Sequence, residues 1–351
     1  MRKWQIVQRF LPILTVMLLL AGCGAPELSA LDPSGVVAEK QLSLIILSLA
    51  IMVFVFLVVI VIFTYVLIRY RAKPGQEDEI PEQVEGNHKL EIIWTVIPIL
   101  LLIVLAIPTV MTTFTLAEEA PEEGDAMRVE VVANQYWWEF RYPDHGIVTA
   151  QELHIPTGEK VYVTLDSNDV IHSFWVPAIA GKMDNNPGLT NNFWLQADQA
   201  MTYDGRCTEL CGPSHALMNF KVVAQEPDEF ESWVESMQNF EDVAEEEVES
   251  EAVALGREVY ATNCISCHAI DSTQEGGIGP NLAGFGDREF FAGLFMKPSD
   301  DPESANEELK SWIREPYKYK PDNNMPEFPE SQISDEELDA LVEYLHSLTL
   351  E

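Results

Sequence analysis

Two stretches without a single charge limit what this chain can become. Residues 41–68 read QLSLIILSLAIMVFVFLVVIVIFTYVLI, and residues 92–116 read IIWTVIPILLLIVLAIPTVMTTFTL. Each exceeds the roughly 20 apolar residues that cross a bilayer. Neither a buried core helix nor a signal sequence is normally so long, so both read as membrane spans, within a hairpin over 41–117. At 351 residues the chain is too long for one ordinary domain, and the spans separate a short leading part from a long trailing one.

The start is a separate object. MRKWQIVQRF is a positive leader, LPILTVMLLL a short apolar run, and Leu20-Ala21-Gly22 the small residues of a cleavage site. A cysteine directly after them looks like the bacterial lipoprotein signal. That resemblance implies that residues 1–22 are a signal peptide and that Cys23 carries a lipid; the competing reading is a short membrane helix with an incidental cysteine. A lipidated Cys23 lies outside, with 23–40 as an extracytoplasmic segment. The first span then runs inward to Arg69, Arg71 and Lys73, and Lys89 precedes the second, which matches the excess of basic residues on cytoplasmic sides. Everything after about Leu116 is then outside the cell membrane. Most of the 57 acidic residues follow that point, and the chain carries a net charge of −36. Such a surface repels nucleic acid. It would steer a basic protein partner, or it is simply how exposed surfaces are composed in this organism.

From about Met127 the pattern alternates with period two, as in RVEVV (128–132) and KVYVTL (160–165). HSFWVP, NNFWLQ and MNFKVVA follow, separated by the turn signals PDHG, PTGE, NNPG and YDG. Several short strands over 126–225 predict a β-sandwich. Beyond Gln225 the pattern turns helical and acidic, and 226–251 reads as a solvated linker helix. Residues 252–351 read as a small all-α domain. Its last helix opens on the capping-box pattern Ser334-Asp335-Glu336-Glu337, with Leu338, Leu341, Val342, Leu345 and Leu348 on one face.

Within that last domain, Cys264-Ile265-Ser266-Cys267-His268 is a C-x-x-C-H. On a helix, positions i, i+3 and i+4 share a face, so both thiols reach the vinyl groups of one haem while His268 meets the iron. A redox pair of the thioredoxin type needs a βαβ pattern that is lacking, and zinc needs a second ligand pair. Met325 in NNMPEF is the expected second axial ligand, with Met296 as the alternative. The carbonyl of Pro280 in GIGPNL is placed to hold the second ring nitrogen of His268. Residues 252–349 resemble a small class I cytochrome c.

CTELCGPSHALM, residues 207–218, concentrates Cys207, Glu209, Cys211, His215 and Met218 in twelve positions. The bland reading is a disulfide in an exported loop. Soft thiolates beside imidazole and thioether select copper or zinc, and His172 in NDVIHSFW is a further candidate on a neighbouring strand. A mononuclear blue-copper site needs one cysteine and two histidines, so one cysteine is in excess. Two thiolates can bridge two copper ions, with one histidine for each.

C-x-E-x-C-x-x-x-H-x-x-M after a strand histidine resembles the dinuclear CuA centre of cytochrome c oxidase subunit II. LEIIWTVIPILLLI resembles the second membrane helix of that family, and the likeness covers residues 40–225, with the haem domain making it the cytochrome-c-fused subclass. The resemblance implies a cupredoxin-like Greek-key sandwich in which His172 and His215 each bind one copper, Cys207 and Cys211 bridge both, and Met218 is a weak ligand. Glu209 is implied to lend its backbone carbonyl to copper, and its carboxylate to a magnesium ion shared with subunit I. The run Gln135-Tyr136-Trp137-Trp138-Glu139-Phe140 resembles the segment where electrons reach CuA, although Tyr136 stands where the family often has tryptophan. Trp137 and Trp138 are the fallback, and packing of all three in the sandwich is the alternative. Glu91 opens the second span as an interfacial acid or, by resemblance, as the mouth of a proton path into subunit I. His88, His145, His154 and His346 fit no ligand pattern.

The implied function is electron transfer from cytochrome c or a similar donor, through one covalent haem c and CuA, to subunit I, where oxygen is reduced. The rivals are the CuA subunit of a nitric oxide reductase and a copper chaperone or storage lipoprotein; the latter has no use for C-x-x-C-H. A quinol oxidase subunit would not need the intact copper set.

Overall fold

The computed structural model describes residues 25–71, 75, 83, 85–121, 126–240, 250–275, 277–288, 290–293 and 302–350. The expected signal peptide, Cys23, Lys73, Met296 and the acid run at 241–249 lie outside the described residues.

The two uncharged stretches form helices α1 (Val36–Arg69) and α2 (His88–Leu116). Their most apolar windows have mean hydropathies of 3.5 and 2.8 and are exposed within the molecule, as lipid-facing helices must be. The side chain of Asn87 caps α2 by accepting from the N–H groups of Lys89 and Leu90. α1 starts earlier than the uncharged run because its first turn is tied to the next domain. Val37 and Ala38 are buried there, Ser34 N donates to Ala178 O at 2.7 Å, and Asp198 N donates to Ser34 O at 2.9 Å.

Ten strands follow: β1 (Met127–Asn134), β2 (Trp137–Tyr142), β3 (Ile147–Ala150), β4 (Glu152–Pro156), β5 (Val161–Ser167), β6 (His172–Trp175), β7 (Lys182–Asn185), β8 (Asn191–Leu195), β9 (Met201–Cys207) and β10 (Asn219–Gln225). They form two five-stranded sheets in the orders β3-β2-β1-β5-β8 and β4-β10-β9-β6-β7. The period-two pattern puts alternate residues of β5 and β10 into the core. Aromatic rings bridge the sheets: Trp138 of β2 lies 5.0 Å from Phe220 of β10 and 5.7 Å from Phe174 of β6, and the two phenylalanines stack at 4.5 Å. Each such buried ring contributes about 1.5–3 kcal/mol by leaving water.

α3 (Pro227–Gln238), α4 (Glu251–Asn263), α5 (Pro302–Arg314), α6 (Pro316–Tyr319) and α7 (Asp335–Ser347) complete the chain. α4 and α7 pack together, with Tyr260 and Tyr344 5.6 Å apart. The capping box at Ser334 and Glu337 is formed, and the five predicted apolar residues of the last helix are all buried.

Three local expectations change. YDG is no turn but lies inside β9, because a Cβ at Gly205 would collide with the Phe220 ring that crosses it. Residues 226–251 are not one solvated helix: α3 buries Phe230, Trp233, Val234 and Met237 against the sandwich, and α4 begins anew at Glu251. Cys264–Cys267 form a turn just beyond α4 and are not part of a helix. Cys264 O still accepts from both Cys267 N and His268 N, each at 3.0 Å, so the helical spacing of the three side chains survives.

His154 has a structural role in holding α3. Its ring stacks on Trp233 at 4.3 Å, and Nδ1 lies 2.9 Å from Gln225 Oε1. Burial pushes its pKa from 6.5 down to about 4, only partly opposed by the Gln225 bond. The fold therefore favours the neutral ring, and its contribution to stability is complete above pH 6.5 and is lost as pH falls towards about 4. Replacing His154 with Gln removes this titration. The melting-temperature gap between wild type and variant should shrink on acidification through that window, and a gap independent of pH would refute the assignment.

Candidate metal and haem centres

The metal-binding side chains converge at one end of the sandwich. His172 opens β6, Cys207 closes β9, and Cys211 follows in the loop to a short helical turn, His215–Leu217, with Met218 before β10. The two sulfurs are 3.9 Å apart, far beyond the roughly 2.05 Å of a disulfide, so the disulfide reading falls. A histidine flanks each sulfur: His172 Nδ1 lies 3.8 Å from Cys207 Sγ, and His215 Nδ1 lies 3.6 Å from Cys211 Sγ. Met218 Sδ is 3.8 Å from Cys211 Sγ, and the carbonyl oxygen of Glu209 is 3.3 Å from Cys207 Sγ. The donor atoms of His172, Cys207 and Cys211 all lie within 4.8 Å of one another. This soft set, two sulfurs between two imidazoles, suits copper.

The electrostatics favour a cation there. The hydrogen bond with Cys211, then those with His172 and the backbone, hold Cys207 well below the usual thiol range against burial. Cys211 is pushed up, first by Cys207 and then by burial. One proton thus leaves readily and the second is retained unless positive charge replaces it. Burial alone would push His172 down, but Asp169 and Cys207 reverse the sign. Asp169 Oδ1 is 2.7 Å from His172 Nε2, which leaves Nδ1 turned to the sulfur. Sequence reasoning passed over Asp169, although its place three residues before the histidine in NDVIH was a usable signal.

Cys264, Cys267, His268 and Met325 line one cavity in the last domain. His268 Nδ1 lies 2.8 Å from Pro280 O, as expected, and Tyr260 OH donates to His268 O at 2.7 Å. The ring is therefore held by the Pro280 carbonyl, and the main chain that carries it by an α4 side chain. Burial pushes Cys264 up to about 12. These residues fit a haem bound through two thioethers with histidine and methionine on the iron.

The same cavity is walled by Gln135, Tyr136 and Trp137, which join β1 to β2 in the sandwich. Gln135 Nε2 donates to Cys211 O at 2.5 Å. Tyr136 OH donates to Asp322 Oδ2 at 3.1 Å, and Ser214 Oγ donates to Pro321 O. Tyr136 is only 2% exposed, so no outside protein reaches it. Burial, then the bond to Asp322, pushes its pKa up to about 12 and keeps it a neutral phenol. Trp138 is wholly buried in the sandwich core, with Nε1 donating to Met218 O at 3.4 Å. Of the aromatic run, then, Tyr136 and Trp137 face the cavity of the last domain and Trp138 packs behind the sulfur cluster. Glu209 is exposed and stands apart from the sulfur cluster in its side chain.

Comparison with known proteins agrees with this arrangement. The family models for the transmembrane and periplasmic domains of cytochrome c oxidase subunit II match residues 28–111 and 145–225, and the cytochrome c model matches 253–349. Cytochrome c oxidase subunit 2 of Bacillus sp. (strain PS3) is 50% identical over 350 residues, spanning 95% of each chain. The chain belongs to the cytochrome c oxidase subunit II family. A second member, from Bacillus subtilis (strain 168), is 44% identical across 100% of this chain and 99% of its own. Quinol oxidase subunit 2 of Bacillus anthracis is 35% identical but spans 72% of this chain and 88% of its own. Membership makes this chain a membrane-bound subunit of a haem–copper oxidase with a periplasmic C-terminal portion that includes a cytochrome c domain, and gives it a role in electron transfer.

If Asp169 fixes His172, Asp169→Ala should weaken copper retention by about 10- to 100-fold in chelator competition. Retention equal to wild type would refute that role.

Proposed function

We propose that this chain receives electrons for a respiratory cytochrome c oxidase, taking them from an external donor and delivering them, by way of its covalent haem c and dinuclear CuA, to subunit I, where oxygen is reduced to water. The observation that carries this reading is the shared wall. Tyr136 lines the haem cavity, and its neighbour Gln135 is hydrogen-bonded to the backbone of the sulfur ligand Cys211. A continuous bonded path therefore links the two centres inside one chain, and a donor has no need to touch the copper domain.

The haem and the copper supply one-electron redox capacity; the residues hold, orient and dry them. Cys264 and Cys267 would attach the haem, and His268 and Met325 would hold its iron. Cys207 and Cys211, with His172 and His215 beside them, would hold the two coppers, with Met218 as a weaker donor and the carbonyl of Glu209 completing the set. Burial of His172, Cys207, Cys211 and Met218 beside Trp138 would limit reorganisation at each redox step. Around the ligands, Leu210 is 78% and Ile171 46% exposed on an otherwise acidic chain. That apolar rim fits a face covered by subunit I. The exposed carboxylate of Glu209 supplies one hard ligand to a magnesium ion completed by subunit I. Glu91, with Oε2 3.1 Å from His88 Nδ1 in the first turn of α2, stands at the mouth of a proton path into subunit I. A lipid on Cys23 adds a second hold on the membrane.

Cys207→Ser should abolish the mixed-valence copper signal in electron paramagnetic resonance and leave the haem spectrum intact. In the assembled oxidase the reduced haem of this variant should then stay reduced under oxygen; normal reoxidation would overturn the route. Met325→Leu should remove the red absorption band of methionine–iron ligation, and persistence of the band would move the axial ligand elsewhere.

A further inference from the structure

Lys320 is a buried ammonium, 4% exposed, in the loop between α6 and Met325. Its Nζ donates to two carbonyls, Tyr136 O at 2.5 Å and Ala292 O at 3.4 Å. Among the described residues no carboxylate lies within ion-pair distance of it. Burial lowers its pKa to about 7, only partly opposed by the charge of Cys211. A buried ammonium with no carboxylate beside it is costly, so an anion belongs next to it.

A second orphan stands at the same place. Gln151, on the left-handed corner between β3 and β4, is 7% exposed with φ of 70°. Its other polar groups are committed: Oε1 accepts from Trp138 N at 2.8 Å, its N–H donates to Trp138 O, and its carbonyl accepts from Lys221 N. Nε2 alone has no partner. Both side chains line the haem cavity, and both crowd the spot where a Cβ on Gly293 would stand, Gln151 Nε2 at 2.8 Å from it and Lys320 Nζ closer. Gly293 has φ of 71°, so glycine is needed there for backbone and for space. Arg288, a half-buried cation of the same lining, has Nη2 committed to the carbonyls of Asn281 and Ala283.

We infer that Lys320 and Gln151 together bind a haem propionate, so that the copper domain supplies one of the haem's own ligating contacts. This rests on the haem reading above. A haem joined through its vinyl groups to Cys264 and Cys267 carries its two carboxylates on the opposite edge of the ring. One carboxylate oxygen satisfies both orphans, an ammonium without an anion and an amide donor without an acceptor. Lys320 also grips Tyr136 O, so the same side chain joins the propionate edge to the connection that leads to Cys211.

The test uses the full chain loaded with haem and copper. Resonance Raman spectroscopy reads the propionate bending mode, and a redox titration reads the haem midpoint potential. Lys320→Met should move the propionate band and lower the potential, because an uncompensated carboxylate favours the oxidised iron. Lys320→Arg should restore both. Gln151→Glu keeps the acceptor for Trp138 N but gives Lys320 a protein carboxylate, and should displace the propionate with the same band shift. An unchanged copper resonance spectrum certifies the fold of each variant. A propionate band and potential unchanged in Lys320→Met and Gln151→Glu overturn this inference. Absence of covalent haem from the wild-type chain would instead overturn the haem reading itself.

Discussion

Two thiol sulfurs 3.9 Å apart in a largely desolvated pocket cannot both be anionic without positive charge between them. The sandwich is organised around that constraint. His172 and His215 flank the pair, Asp169 turns one imidazole towards it, and Trp138 closes the pocket from the core. β6, β9 and β10 lie side by side or adjacent through β9 in one sheet, so residues from 172 to 218 meet at one end. The ligands are thus held by paired strands whose register is fixed by their buried faces, and the geometry does not depend on the loop alone.

The haem domain adds a second constraint, because it docks on the very connection that backs Cys211. Residues 320–322 touch Tyr136 and Ser214, and on another edge Val148 N donates to Ser272 O at 2.6 Å while Arg141 pairs with Glu275 at 3.0 Å. Part of this contact is polar and buried, which fixes orientation more than it adds affinity. The consequence for Tyr136 is decisive. Read alone, an aromatic at that position suggests a surface for an outside donor; here it is covered by the chain's own second redox domain.

Much of this was legible in the sequence. The membrane helices, the sandwich, the capping box at Ser334, the C-x-x-C-H with Pro280 behind it and the copper-ligand spacing all rest on local patterns. What was missed depends on contacts between distant segments. Gly205 reads as a turn until Phe220 is seen across it, and the acidic face of α3 hides Trp233 and Phe230 until His154 is found beneath them. Gln151 and Lys320 carry no motif at all. They stand out only because the fold leaves a donor and a charge unmatched in one cavity.

The short tie between Ser34 and the sandwich has a mechanical meaning. α1 is 34 residues long, about 51 Å of rigid rod, while the hydrocarbon layer takes about 30 Å. Roughly 20 Å of helix therefore stands clear of the lipid tails, and its upper end is clamped by Ala178 and Asp198. The rod acts as a strut of set length. It gauges how high the sandwich, with its sulfur cluster, rides above the bilayer.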